Sequence, residues 1–322
     1  MRKKYLLVTG STGFIGRHVT KRLIQETPYQ VIAPVRNINS PDTPELPRLT
    51  RFQGTFYDQN LLDRIFERYP ISAVIHIAAL RGAGAASHKK YYEVNIHGTH
   101  LLLKASFKHG VEKFLFCSSV GVFGTIPNTL PANTSTQLNG DNPYHRSKIL
   151  AEKEVMNFIS RGLNAYIIRP AITYGKGDNG FPTTLAKMVK RRILFLPRKD
   201  IKIHLLDVNK LSEVCLNILT NNNPVNKIFT IADQAPVGLK EIVNIIHQYY
   251  HKTNYPSFLT IPNSVYNTCT YLFQALRSEK WSVRTRLISE SWYYDITETV
   301  SSLQFQPANT KREFIQFLNG LN

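Results

Sequence analysis

A chain of 322 residues, 43% hydrophobic and 19% charged, is long and apolar enough to bury a core and is not a disordered chain. Its three cysteines, Cys117, Cys215 and Cys269, are scattered, without metal-ligand spacing or a disulfide framework, which fits a reducing cytoplasm. The net charge of +18 carries no zinc-finger or RNA-binding signature, so it points away from nucleic acid and toward a phosphate-bearing substrate or peripheral contact of a basic face with an anionic membrane.

The first apolar run, "KYLLVTG", follows a few positive charges, as a secretory signal would. It is too short for one and meets a glycine turn instead of a cleavage site, so it reads as a strand. Further strand-like runs are "YQVIAPVR", "TRFQG", "ISAVIHIAA", "EKFLFCSS" and "NAYIIRP". Segments of helical period lie between them, at about 14–27, 59–68, 88–109 and 145–161. The alternation predicts an α/β fold, a Rossmann doubly wound parallel sheet with ligands at the carboxyl ends of its strands.

After Pro170 the pattern loosens. "TYGKGDNGFP" is a glycine-rich loop, and "TTLAKMVKRRILFLPRKD" is a basic helix followed by an apolar, strand-like run. "IKIHLLDVNKLSEVCLNILTN" and "KIFTIADQAPVGLKEIVNIIHQYYH" are strand–helix pairs. A dinucleotide-binding domain is therefore expected over 1–172, with 202–232 returning to it. A smaller mixed lobe, from 173–201 and 233–322, would hold substrate. Within that lobe "FLTIPNSVYNTCTYLFQALRSEKW" reads as a core helix, with a substrate lid or an interfacial helix as the alternatives. No run of about 18 apolar residues is present, so no spanning helix is expected.

The glycines of "VTGSTGFIGRHV" follow the first strand and open a helix. Gly10 closes the turn, Gly13 lets backbone approach a pyrophosphate, and Gly16 lets helix pack on sheet. The helix N-terminus adds free N–H donors, with Thr12, Phe14 and Ile15 beside them. The second strand ends in "VIAPVRN", which lacks the carboxylate that would accept from the ribose hydroxyls. Arg36 there can pair a 2′-phosphate, which favours NADP, with NAD the alternative.

Seven segments together resemble an extended short-chain dehydrogenase/reductase of the NAD-dependent epimerase/dehydratase family. They are "TGSTGFIG", "ISAVIHIAAL", "YYEVNIHGTHLLLKAS", "FLFCSSVGVFG", "NPYHRSKILAE", "YIIRPAITYGKGD" and "YYDITETVSSLQFQP". They span nearly the whole chain in the family's order. Of the 16 tyrosines only Tyr144 has a lysine four residues on. The resemblance implies that His76, Ala78 and Ala79 line the nicotinamide side. It implies that Asn95 orients the lysine or touches the cofactor region, and that Ser119, five residues before Gly124, is the catalytic hydroxyl in place of Ser118. It also implies a Tyr144–Lys148 pair that touches both cofactor and substrate, and a homodimer through the helices near 88–109 and 145–161.

Hydride removal from a carbinol carbon leaves a hydroxyl proton to be placed. A free tyrosine, with a pKa near 10, is a poor base at neutral pH. Lys148, one helical turn on, would lend Tyr144 positive charge, and Ser119 would steady the substrate oxygen. The resemblance sets an Asp-Glu pair after the serine in dehydratases; here Val120 and Gly121 stand there, which disfavours elimination of water. For a sugar nucleotide the family places a diphosphate-binding arginine where Asp200 stands. Arg198, Lys199 and Lys202 are the nearest substitutes, then Lys187, Arg191 and Arg192. The expected function is an oxidoreductase or epimerase acting on a nucleotide-activated sugar. The alternatives are a reductase of apolar alcohols, like the 3β-hydroxysteroid and dihydroflavonol members, and a non-catalytic NADP sensor. No metal site is expected.

Overall fold

The computed structural model describes residues 4–39, 46–82, 86–220, 224–225 and 227–321. Its frame is a parallel sheet of seven strands. Six of these are β1 (Tyr5–Thr9), β2 (Gln30–Val35), β3 (Leu49–Gln53), β4 (Ile71–His76), β5 (Lys113–Cys117) and β6 (Ala165–Pro170). The seventh, Ile228–Ile231, lies on the outer edge of β6, and the order runs from it through β6, β5, β4, β1 and β2 to β3.

Continuous apolar runs are what a parallel sheet covered on both faces requires. Side chains alternate across the strand, so Leu6 and Val8 pack with Val19, Leu23 and Val214. Leu7, between them, packs with Leu61, Leu62, Leu102 and Val155. Helices α1 (Phe14–Glu26) and α7 (Val208–Thr220) cover the first face. The second is covered by α2 (Gln59–Arg68), α4 (Gly98–Lys108) and α5 (Pro143–Ser160).

The helix expected over 88–109 is not uniform. A short α3 (His88–Tyr91) runs into a π turn, Tyr92–His97, before α4 begins. One extra residue in such a turn shifts the helix face that follows it. At Gly98, just beyond, a Cβ would come within 2.8 Å of Phe56 and Tyr57.

Outside this frame lie α6 (Phe181–Lys190), α8 (Leu239–His251), α9 (Asn263–Ala275) and α10 (Glu279–Ser289), with strand pieces of two or three residues. Two expectations are corrected here. The apolar run after α6 forms a strand only at Leu196–Pro197, and Ile193 and Phe195 stand exposed. Nor is α9 a core helix, since Tyr266 is its only buried residue. Its aromatic and aliphatic content belongs mostly to the surface.

Candidate active site

The chain leaves β1 toward β2 and β3, then returns to β4 on the other side of β1. Such a reversal opens a crevice at the carboxyl ends of the strands. Here the two chain ends touch: Gly10, at φ +77°, would press a Cβ to 2.8 Å from the Ala78 nitrogen. Gly13 N donates to the Gly10 carbonyl at 3.0 Å, and a Cβ on Gly16 would lie 1.9 Å from that carbonyl oxygen. Gly10 and Gly16 are thus demanded by the protein's own packing.

Gly13 is different. It is exposed, and a Cβ there would meet only Gly10 O, at 3.3 Å. It caps α1 without a side-chain hydrogen bond. The buried Ser11 Oγ nearby has no partner among the described residues. Free helix N–H groups, an orphaned hydroxyl and an open glycine face make a cradle that fits a dinucleotide pyrophosphate. Thr12, Phe14 and Ile15 are half-buried around it, and Arg36 is exposed just past β2. Ala78 and Ala79 are half-buried beyond β4, with Ala78 N donating to Thr9 Oγ1 at 3.2 Å.

His76 does not line the crevice. It is buried at the end of β4, against Phe56 and Phe116. Its Nδ1 lies 2.7 Å from Thr9 Oγ1 and its Nε2 2.9 Å from Thr99 Oγ1. Thr99 donates its own proton to Asn95 O, so it must accept from Nε2–H, and Nδ1 accepts from Thr9. Each member gives one proton and takes one, which requires a neutral ring. Burial, then the nearby Lys148 charge, lowers the His76 pKa well below its ordinary value. This residue braces the crevice from behind.

Asn142 caps α5, accepting from His145 N at 3.0 Å, and Pro143 opens the first turn. Tyr144 and Lys148 follow one turn apart. Lys148 is buried, its Nζ donating to Cys117 O at 2.8 Å and lying 4.6 Å from the Phe116 ring centre. Burial lowers its pKa to about 8, against opposing pulls from Cys117 and Glu152. Ser119 Oγ accepts from Gly121 N at 3.0 Å. Burial pushes the Tyr144 phenol up to about 12; Arg81 and Ser119 pull the other way. Ser118, the neighbouring hydroxyl, is buried and has no partner among the described residues.

Asn95 sits in the π turn and makes bonds away from Lys148. Its Oδ1 accepts from Leu80 N at 2.7 Å; its Nδ2 donates to Leu80 O and Ser147 Oγ, both at 2.8 Å. Both amide protons are used, so this side chain fastens the loop after β4 to α5 and has none left for a substrate.

Two features escaped the sequence reading. Arg81, after "IAAL", bridges to Asn179 Oδ1 at 2.8 Å and brings charge near Tyr144. Asp141 holds His145 Nδ1 at 2.6 Å through one oxygen; the other accepts from Thr125 N at 2.8 Å and Arg286 at 3.3 Å. Burial opposes its charge, but the bonds with His145 and Thr125 hold the carboxyl at about 2. Arg286 belongs to α10, so that helix is tied to the segment that opens α5. The only hint in the sequence was Arg81's place two residues after Ala79.

The basic residues expected at a substrate diphosphate stand apart from this cluster. Arg198, Lys199 and Lys202 are exposed, and their neighbours are Ile261, Asn263, Ser291 and Trp292. Asp200 accepts from Ile201 N and Lys240 N, which caps the start of α8. Its replacement of an arginine thus has a local structural use.

A family model described as the NAD dependent epimerase/dehydratase family matches residues 6–232. A UDP-glucose 4-epimerase of Bacillus subtilis is 32% identical over 204 residues, 57% of this chain and 59% of the relative. A UDP-glucose 4-epimerase of Dictyostelium discoideum is 28% identical over 283 residues, 77% of this chain and 81% of that one. Against the Bacillus relative, then, the match spans about three-fifths of its length. A solved structure of a UDP-glucose 4-epimerase from Thermotoga maritima, determined with UDP-glucose, has the same fold: TM-score 0.78 at 20% identity, covering 98% of each chain.

Proposed function

The chain belongs to the NAD dependent epimerase/dehydratase family, and from that premise we propose that it is a nicotinamide-dependent oxidoreductase or epimerase acting at a carbinol carbon of a nucleotide-activated sugar. The observation that carries the proposal is Tyr144 one helical turn before the buried Lys148, whose Nζ holds Cys117 O two residues before Ser119, at the carboxyl edge of the sheet that also presents the glycine cradle.

A bound nicotinamide supplies a two-electron acceptor and donor. The chain's own residues handle the proton. Tyr144, held protonated by burial, donates to the oxygen of a carbonyl being reduced and takes the proton back in the other direction. Ser119 donates a hydrogen bond to the same oxygen as its charge develops. Arg81 and Ser119 favour the phenolate, and Lys148 keeps a titratable ammonium close to neutral pH. Asn95 is a positioning residue in this reading. Val120 is buried, and a Cβ on Gly121 would strike His145 at 2.5 Å. Neither position has room for the acid pair of a dehydratase, which supports redox chemistry or epimerisation over elimination.

The exposed Arg36 and the lack of a carboxylate beside it favour NADP, with NAD as the second choice. Arg36→Asp is expected to weaken NADPH at least tenfold more than NADH. Equal losses would return the preference to NAD. A homodimer through the helical stretch 88–109 and α5 suits the exposed Tyr92, Phe107, Leu150 and Met156 there.

The deciding experiment incubates purified protein and either dinucleotide with a panel of UDP-sugars and follows epimerised or oxidised product. Tyr144→Phe is expected to lower turnover about a thousandfold or more. An unchanged rate would remove the mechanism. A second reading, reduction of an apolar ketone, draws on the aromatic surface of α9 and α10, and the same panel extended to apolar ketones separates the two.

A further inference from the structure

Val265 and Leu272 of α9 and Leu276, its C-cap, point into solvent, the last at 67% exposure. They recur at intervals of seven and four, with the half-buried Cys269 between them. At 3.6 residues per turn these four positions share one narrow stripe. The face that docks on the protein is another: Tyr266 bonds Phe195 O, and Thr270 bonds Thr285 of α10 at 2.9 Å. Phe258, before α9, is 80% exposed. Trp281, in the first turn of α10, stacks on Phe273 and carries Arg284 5.0 Å over its ring. An apolar face this continuous on a soluble lobe marks a contact.

Charge is joined to it. The segment "KRRILFLPRK", 190–199, has five positive residues and no negative one. Leu196–Pro197 pairs with Thr260–Ile261, and Lys199 N donates to Asn263 Oδ1 at 3.0 Å, so this basic segment lies against the start of α9. Arg191, Arg192, Arg198 and Lys199 are all exposed, as are Ile193 and Phe195.

We propose that the α9–α10 hairpin and the basic 190–199 segment form a docking surface for an anionic phospholipid bilayer. The stripe and the aromatic side chains enter the interface while the arginines and lysines meet headgroup phosphates. The combination selects this occupant. A nucleic acid would use the charge but leave the aliphatic stripe wet, and a second copy would set one basic segment against another. Arg286 of the same hairpin bonds Asp141, which precedes the cap of α5, so the hairpin is fastened to the sheet half. The proposal does not depend on which substrate is turned over.

Co-sedimentation of the full chain with vesicles tests it. Phosphatidylglycerol vesicles at low salt should carry down most of the protein, and phosphatidylcholine vesicles little. Leu272→Asp with Leu276→Asp should lower the bound fraction at least tenfold. Arg191→Glu with Arg192→Glu should lower it comparably and flatten its dependence on salt. Should the double aspartate variant fail to fold, Leu276→Ser reports through Trp281 emission, whose blue shift on phosphatidylglycerol should shrink. No binding to phosphatidylglycerol vesicles overturns the proposal, as does equal binding by wild type and variants. A soluble dimer that Leu272→Asp dissolves also overturns it, since a second copy would then cover the face.

Discussion

The sheet half and the α9–α10 hairpin use the same kinds of residue to opposite ends. In the sheet, Leu6, Leu7 and Val8 are wholly buried, each on a face supplied by helices later in the chain. In the hairpin, Leu272, Leu276 and Trp281 stand at the surface. At the crevice the sheet half also leaves polar groups unsatisfied. Two buried hydroxyls without partners among the described residues, Ser11 and Ser118, follow β1 and β5, and the buried ammonium of Lys148 bonds Cys117 O beside the second. Unsatisfied polarity marks one region's working surface, and uncovered apolar area marks the other's. Both are places where the chain has not spent its interactions on folding.

The harshest way to break the sheet half is Gly16→Val. Even a Cβ would lie 1.9 Å from Gly10 O, a backbone atom that cannot swing aside. The expected loss is about 4 kcal/mol or more, a large share of a typical folding stability. A cooperative melt within a few degrees of wild type would show that α1 docks on the sheet less tightly than its geometry states.

Lys148→Met sharpens the comparison further, since it should raise stability while removing activity. The folded lysine titrates at about 8, against about 10.4 in the unfolded chain. Between those values the unfolded state binds more protons, so wild-type stability should rise with pH across that window. Below it the full penalty of the buried charge is present, on the order of 3 kcal/mol, offset by about 1 for the bond to Cys117 O. The variant is thus expected to gain about 2 kcal/mol at pH 7, and the gain should shrink as pH climbs from 8 to 10. Denaturant melts at several pH values measure it. A destabilised variant at pH 7 would mean that the Cys117 bond outweighs burial.

How much of this was legible follows the range of each interaction. The strands and the glycine turn could be read because a parallel sheet writes its two covered faces into short apolar runs. The proximity of Tyr144 and Lys148 is one helical turn, a local fact. The π turn at 92–97 could not be read, because it depends on Asn95 reaching Leu80 and on Gly98 fitting under Phe56 and Tyr57. The same holds for Asp141, whose partner Arg286 lies 145 residues away, and for His76, whose neutral ring is set by Thr9 and Thr99. The α9 helix failed for a different reason. Periodicity states that a helix has an apolar face; it does not state whether a core covers that face.

The smallest expected effect is the one that separates the two regions most cleanly. Leu272 is 55% exposed, on the α9 face turned away from Tyr266 and Thr270. Replacing a buried leucine of the sheet, such as Leu7, by aspartate would strand a charge in an apolar core. Replacing Leu272 by aspartate moves a group already in water, and surface changes of this kind fall within about 0.5 kcal/mol. An unchanged melting temperature for Leu272→Asp would leave the residue with no part in holding the isolated chain together. A loss of about 2 kcal/mol would instead make the stripe part of a core, and the contrast between sheet and hairpin would disappear.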